Sequence, residues 1–360
     1  MEKTSLSGLK RENFLATVQG KQTDLYTLTN ESGAQVQITN YGGAIAAIMV
    51  PDKNGKYANV IQGYNSINDY VNAPEPFLST LIGRFGNRIC KGKFILDGVE
   101  YNLAINNGVN HLHGGPTGIH ARVWDAEQLD EQTLQLQYTC NDMEEGFPGD
   151  LAITVIYQWT DDNELVIEYE ANTNKPTIVN LTNHGFFSIQ GIDTPTSDIL
   201  DQVCEINADF YLPIDETSIP FGTVDKVEGT PFDFREPKTF GQDIEADDLQ
   251  IKNGTGFDHC YILNKDEADE LSFAARIVDP KSGRSMEVYT TEPGVQLYTG
   301  NFLSGVSGQC GCTFPKRSAV CFEAQHFPDT PNRSHFPSVV LRPGETYSQT
   351  TIYAFGIDGE

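Results

Sequence analysis

The stretch LAITVIYQWTDDNELVIEYE, residues 151–170, decides the fold class. Leu151, Ile153, Val155, Tyr157 and Trp159 take every second position, the period at which successive side chains point to opposite faces of a strand. A helix would space its apolar residues three and four apart instead. Asp161 to Asn163 interrupt the pattern and Leu165 to Glu170 resume it, so the segment reads as two antiparallel strands, each with one buried face. The same grammar continues on either side. Ala34, Val36 and Ile38 alternate with polar residues after the Asn30 to Gly33 turn. Phe94 to Leu96 and Val99 to Leu103 flank Asp97-Gly98, a dipeptide that tolerates positive φ at both positions of a two-residue hairpin loop. The last third repeats the theme at Met286 to Thr291, Val295 to Thr299, Ala319 to Ala324 and Thr350 to Phe355. No helical period lasts beyond about three turns, no fixed-length repeat argues for a propeller or solenoid, and the 33 Gly and 18 Pro are spread throughout instead of marking a linker. The expectation is an all-β fold, a large antiparallel β-sandwich forming a single domain over residues 1–360 with few short helices.

Composition narrows the function. The 360 residues carry 24 Lys plus Arg against 50 Asp plus Glu, a net charge of −26 that repels phosphate backbones and anionic membrane surfaces. Neither a nucleic-acid nor a membrane partner is expected. The opening MEKTSLSGLKRENF has no apolar stretch of signal-peptide length, and the longest apolar run, Ala44 to Val50, is strand-sized. Seven cysteines, an odd number scattered along the chain, argue for reduced thiols and a cytoplasmic setting. Cys310, Cys312 and Cys321 read as small core residues because no second Cys-x-x-Cys or spaced His pair completes a metal site. The acidic Asp243 to Asp248 run and the Lys265 to Glu270 stretch read as solvated loops or short helical caps.

Chemistry-bearing residues gather where strands should end. GRFGNRI (83–89) holds two arginines suited to a carboxylate, a phosphate or sugar hydroxyls, but lacks the Lys-Ser/Thr of a phosphate-binding loop. In NHLHGG (110–115), His111 and His113 would share a strand face, which leaves a metal pair, an acid/base histidine and a core histidine all open. NLTNHGFF (180–187) sets His184 beside amide and hydroxyl groups and then aromatics, fit to hold a proton near neutral pH and to stack on a sugar face. Asp258 in GFDH and Gln296 in TTEPGVQLYTGN supply hydrogen-bonding groups. Glu323, closing the apolar strand Ala319 to Phe322, is expected to be desolvated and so raised in pKa unless it meets a partner.

Together and in this order, these segments and FEAQHFPDTPN (322–332) resemble the galactose mutarotase (aldose 1-epimerase) family, from about Ala34 to Phe355. The resemblance implies a sandwich with a sugar cleft across one sheet, and an isomerase that interconverts the α and β anomers of free aldohexoses such as galactose and glucose without cofactor or metal. By the motif match, Glu323 resembles the family's base, His184 its acid and His113 the helper near the ring oxygen, with His111 as support. Asn87, Arg88 and Asp258 resemble the sugar ligands, and Gln296 matches a sugar ligand or a positioning residue. Three departures bear on sugar preference: Phe186 where many relatives carry Tyr, Ser188 for a common Asn, and Glu292 for a common Gln. Two alternatives stay open on the same fold. One is a hexose-phosphate mutarotase using Arg84, Arg88, Lys91 and Lys93; the other is a non-catalytic carbohydrate-binding protein. A glycosidase pairing Asp258 with Glu323 is a further reading. The oligomeric state is left open, with a monomer favoured.

Overall fold

The computed structural model describes residues 5–193 and 198–359, so the first four residues of the stretch read for a leader lie outside it. The hairpin of the opening stretch supplies two inner strands of the largest sheet. Leu151–Trp159 pairs antiparallel with Glu164–Thr173, Leu151 opposite Thr173 and Trp159 opposite Leu165. Leu151, Ile153, Val155, Tyr157 and Trp159 are buried, as are Leu165, Ile167, Tyr169 and Ala171 on the partner. Burial of each such side chain contributes about 1.5–3 kcal/mol, so a slip of one residue, which would turn both rows to solvent, is strongly disfavoured. Nine strands form this sheet, and Tyr347–Ile357 joins the hairpin to Arg284–Thr290.

Two smaller sheets close the sandwich. A four-stranded meander runs from Leu25–Thr29 to Tyr57–Asn59. A five-stranded sheet contains the adjacent strands Asp258–Ile262, Gly294–Tyr298 and Cys321–Gln325. One apolar cluster unites all three, with Val36 and Ile48 from the meander, Leu136 and Ile167 from the large sheet, and Val295, Leu297 and Phe322 from the five-stranded one. Among the described residues helix is confined to Ile67–Val71, Leu249–Gly254 and single 3₁₀ turns. Asp248 ends the acidic run as the cap of the second helix, accepting from the Gln250 and Ile251 N–H groups. The Asp97-Gly98 turn has φ of +50° and +81°, the two positive values its sequence called for. Among the described residues no helix is long and apolar enough to cross a membrane. All seven cysteines are free thiols; Cys312 and Cys321 are buried as expected, but Cys310 is exposed on a left-handed turn, φ +57°, where a core position is not available to it.

The period of two has a direct consequence in the five-stranded sheet. Phe322 and Ala324 face the core, so Glu323 and Gln325 must face the other way, opposite Gln296 and Gly294 in register. In the same manner Tyr261 enters the core and Asp258 leaves it.

Candidate active site

The polar face of the five-stranded sheet floors a cavity of about 650 Å³, inside the usual range for small-molecule clefts. Glu323, Asp258 and Tyr298 rise from the floor, while His184, His113, Asn87 and Arg88 come from loops that fold over it. Backbone bonds fix those loops. His184 ends the short strand Thr182–Asn183, its N–H donating to the Thr80 carbonyl (2.9 Å) and its carbonyl accepting from Ser79 N–H (3.2 Å). His113 sits at φ +52°, and Gly114 after it packs against the Gly83 carbonyl so closely that an added Cβ would lie 1.9 Å from that oxygen. Only glycine permits NHLHGG and GRFGNRI to touch there.

Three buried groups converge at the centre. The ligating atoms of His113, His184 and Glu323 lie within 4.8 Å of one another, and His184 Nε2 stands 3.6 Å from Glu323 Oε1. Their surroundings set where protons sit. Burial first, then the Asp258 charge, pushes the Glu323 carboxyl well above its ordinary value, with Arg88 opposing. Burial pulls His184 down to about 4. Its ring lies between Phe186, stacked at 4.8 Å, and Phe77, at 6.4 Å. His113 is also held neutral, by burial and then by His184 and Arg88. Both shifts favour the uncharged forms of the pair, carboxylic acid and neutral imidazole, over the ion pair.

Such a trio has the composition of a metal site, but the His113 tautomer does not suit one. The Asn87 N–H donates to His113 Nδ1 at 3.0 Å, so in the neutral ring Nδ1 is the acceptor and Nε2 bears the hydrogen. A nitrogen already bound to hydrogen cannot ligate. His113 instead presents an N–H to the cavity, which suits an oxygen acceptor. Glu323 Oε2 and His184 Nδ1 are buried without a hydrogen-bond partner among the described residues, as expected of a site that awaits a polar ligand.

The sugar-ligand candidates divide into wall and support. Asn87, Arg88 and Asp258 line the cavity, and Arg88 is held by Asn107 Oδ1 at 3.1 Å and faces Asp258 at 3.6 Å. Gln296 lies behind the wall, donating Nε2–H to Asp258 Oδ1 at 2.6 Å, so it orients a cavity group. His111 is a core histidine, fully buried, with Nδ1 2.8 Å from the Ala104 carbonyl and its ring edge on Phe147. Arg84 belongs to the frame, its guanidinium donating to the Pro148 and Gly149 carbonyls at 2.7 and 2.8 Å. Lys93 is an exposed partner of Glu100, and neither it nor Lys91 lines the cavity. Among the described residues lining the cavity Arg88 is the single cation, which removes the convergent donors that a phosphosugar reading needs.

Of the three departures only Phe186 lines the cavity. Ser188 hydrogen-bonds the Ser318 carbonyl, and Glu292 pairs with His326 at 2.6 Å elsewhere. Sequence reasoning missed Glu75, Phe77, Glu216 and Phe302, all of which line the cavity. The rigid Pro74-Glu75-Pro76 run just before GRFGNRI was the available signal for the first two.

Comparison with known proteins identifies the family. A family model described as aldose 1-epimerase matches residues 24–354. The galactose mutarotase of Sus scrofa is 41% identical over 324 residues, 90% of this chain and 91% of that protein. The aldose 1-epimerase of Escherichia coli (strain K12) is 36% identical over 338 residues, 93% and 96% of the two chains. Among solved structures, an aldose epimerase homologue from C. elegans superposes with a TM-score of 0.86 at 29% identity, covering 94% of this chain and 100% of that one. A galactose 1-epimerase from Lactobacillus acidophilus gives 0.82 at 29%, covering 95% and 97%. With its family motifs assembled around one cleft and its length matched almost throughout, the chain belongs to the aldose 1-epimerase family.

Proposed function

We propose that the cleft interconverts the α and β anomers of free aldohexoses, galactose and glucose among them, with Glu323, His184 and His113 handling the protons. The observation that carries this reading is the convergence of those three buried groups at one point. Mutarotation needs no external nucleophile: a base takes the O1 proton as C1=O forms, the C1–O5 bond breaks, and an acid gives a proton to O5. Glu323 is assigned the first task and His184 the second, with His113 Nε2–H directed at the ring oxygen. Proton count then follows from the pair. Opening starts from carboxylate and imidazolium and ends with carboxylic acid and neutral imidazole, the uncharged forms that burial favours. A proton crossing the 3.6 Å between Glu323 and His184 restores the opening form. After rotation about C1–C2 the acid and base exchange roles and the other anomer forms.

Asn87, Arg88 and Asp258 are assigned to sugar hydroxyls, with Gln296 orienting Asp258. Free sugars are favoured over phosphorylated ones by the single cation of the cavity wall. Seven free thiols favour a cytoplasmic setting. Polarimetry of freshly dissolved α-D-galactose and α-D-glucose tests the proposal: the protein is expected to speed equilibration, and tight sugar binding without acceleration would reassign it as a binding protein.

A further inference from the structure

Glu75 is a carboxylate in the cavity wall that the proton chemistry does not use. Its backbone is fixed from several sides. Pro74 and Pro76 flank it, and the Tyr64 hydroxyl donates to its carbonyl at 3.1 Å. Its Oε1 accepts the Phe77 N–H at 3.3 Å, which leaves Oε2 without a protein donor among the described residues. Burial pushes the carboxyl up to about 7, opposed by that N–H, and no cation offsets it. It sits on a loop of its own, whereas Arg88 and Asp258 belong to the strands Arg88–Ile89 and Asp258–Ile262 and face each other at 3.6 Å. A half-buried carboxyl with one free oxygen and no partner cation is unfavourable, and a hydroxyl donor in the cavity would offset that cost.

We propose that Glu75 is a specificity-determining residue of this cleft, its Oε2 accepting a hydrogen bond from an aldose hydroxyl that the Arg88–Asp258 pair does not hold. The inference rests on the mutarotase reading and adds a second recognition point to it. Its alternative role, holding the loop, is distinguishable. Phe77 packs on His113 at 4.8 Å and on His184 at 6.4 Å, so a displaced loop would disturb the proton handlers and lower kcat. A lost hydroxyl contact raises KM alone when the contact is equal in ground and transition states.

The experiment is polarimetric kinetics of wild type, Glu75→Gln and Glu75→Ala on D-galactose or D-glucose, whichever wild type turns over faster, and on its 2-, 3-, 4- and 6-deoxy forms. In Glu75→Ala, KM for the parent sugar is expected to rise roughly 10-fold with kcat within about twofold. For one deoxy sugar the wild-type KM should already be raised and Glu75→Ala should add nothing further. Wild-type KM for the parent sugar should fall severalfold as pH rises through about 7, while Glu75→Gln, which keeps the acceptor to Phe77 N–H, should show no such step. An equal Glu75→Ala penalty on every deoxy sugar, or a fall in kcat with KM unchanged, would overturn the assignment. Absence of catalysis in wild type would instead overturn the mutarotase reading beneath it.

Discussion

Two carboxylate–imidazole pairs touch the strand Cys321–Gln325 or its end, and they behave in opposite ways. In the cleft, Glu323 and His184 stand 3.6 Å apart with 2% and 7% of their side chains exposed. On the other, Glu292 and His326 are in direct contact at 2.6 Å, beside a hollow of about 430 Å³ that Tyr347 also lines, with 22% of the His326 side chain exposed. Burial lowers His184 to about 4, with no hydrogen-bonded carboxylate to reverse it. Burial also acts to lower His326, but the Glu292 charge and hydrogen bond outweigh it and the imidazole is raised. Identical residue types thus give an imidazole that burial lowers in one place and one that a bonded carboxylate raises in the other. A gap of about one ångström and the loss of solvent decide the outcome. It also accounts for Glu292 as a departure from the family turn: its counterpart is His326, and neither residue lines the sugar cavity.

The comparison is broken or sharpened most by removing one member of each pair. Glu323→Gln and His184→Asn are each expected to cost about 10²–10⁴-fold in mutarotation rate, read by polarimetry, with little loss of stability. Equal losses at His184→Asn and His111→Asn would mean that the wrong histidine has been assigned. His326→Ala should leave the rate within about threefold. It should cost about 2 kcal/mol in urea unfolding because Glu292 is left buried and unpaired, somewhat less than for a fully enclosed pair.

The two imidazoles should also give stability slopes of opposite sign. His184 binds its proton less readily folded than unfolded, so between about 4 and 6.5 it makes the protein more stable as pH rises. His326 is raised, so its contribution is fully present below about 6.5, the ordinary histidine value, and is lost as pH climbs through the folded value. Unfolding free energies of wild type, His184→Asn and His326→Ala across pH 4–8 separate the two; parallel slopes would erase the distinction. The smallest effect is expected at His111→Asn, about 1 kcal/mol of stability from its bond to the Ala104 carbonyl and a rate within about threefold.

How far these contrasts could be read from sequence depends on distance along the chain. The hairpin at 151–170 and the Asp97-Gly98 turn were legible because alternation and positive-φ residues act locally. Glu323 was legible as a desolvated group because the strand before it is apolar and the period of two turns it away from the core. The Glu292–His326 pair was not, since 34 positions separate residues that meet only through sheet pairing. Gln296 read as a ligand or a positioning residue because its motif allows either; its bond to Asp258 follows from the side-chain geometry across two neighbouring strands. Arg84 and Arg88 look equivalent in GRFGNRI, yet one is locked to backbone carbonyls and the other faces the cavity. Phe77 had only the neighbouring Pro74-Glu75-Pro76 run to mark its loop, because the packing of an aromatic ring in a loop is legible only when its neighbours are known.

The central claim is that Glu323 and His184 act as one unit, passing a single proton count across one hemiacetal. Comparing the polarimetric rates of Glu323→Gln, His184→Asn and the double variant tests it most directly. Residues acting as a unit are not additive, so the double variant should be no slower than the slower single one. Losses that multiply, each variant removing its own factor independently, would contradict the shared-proton account.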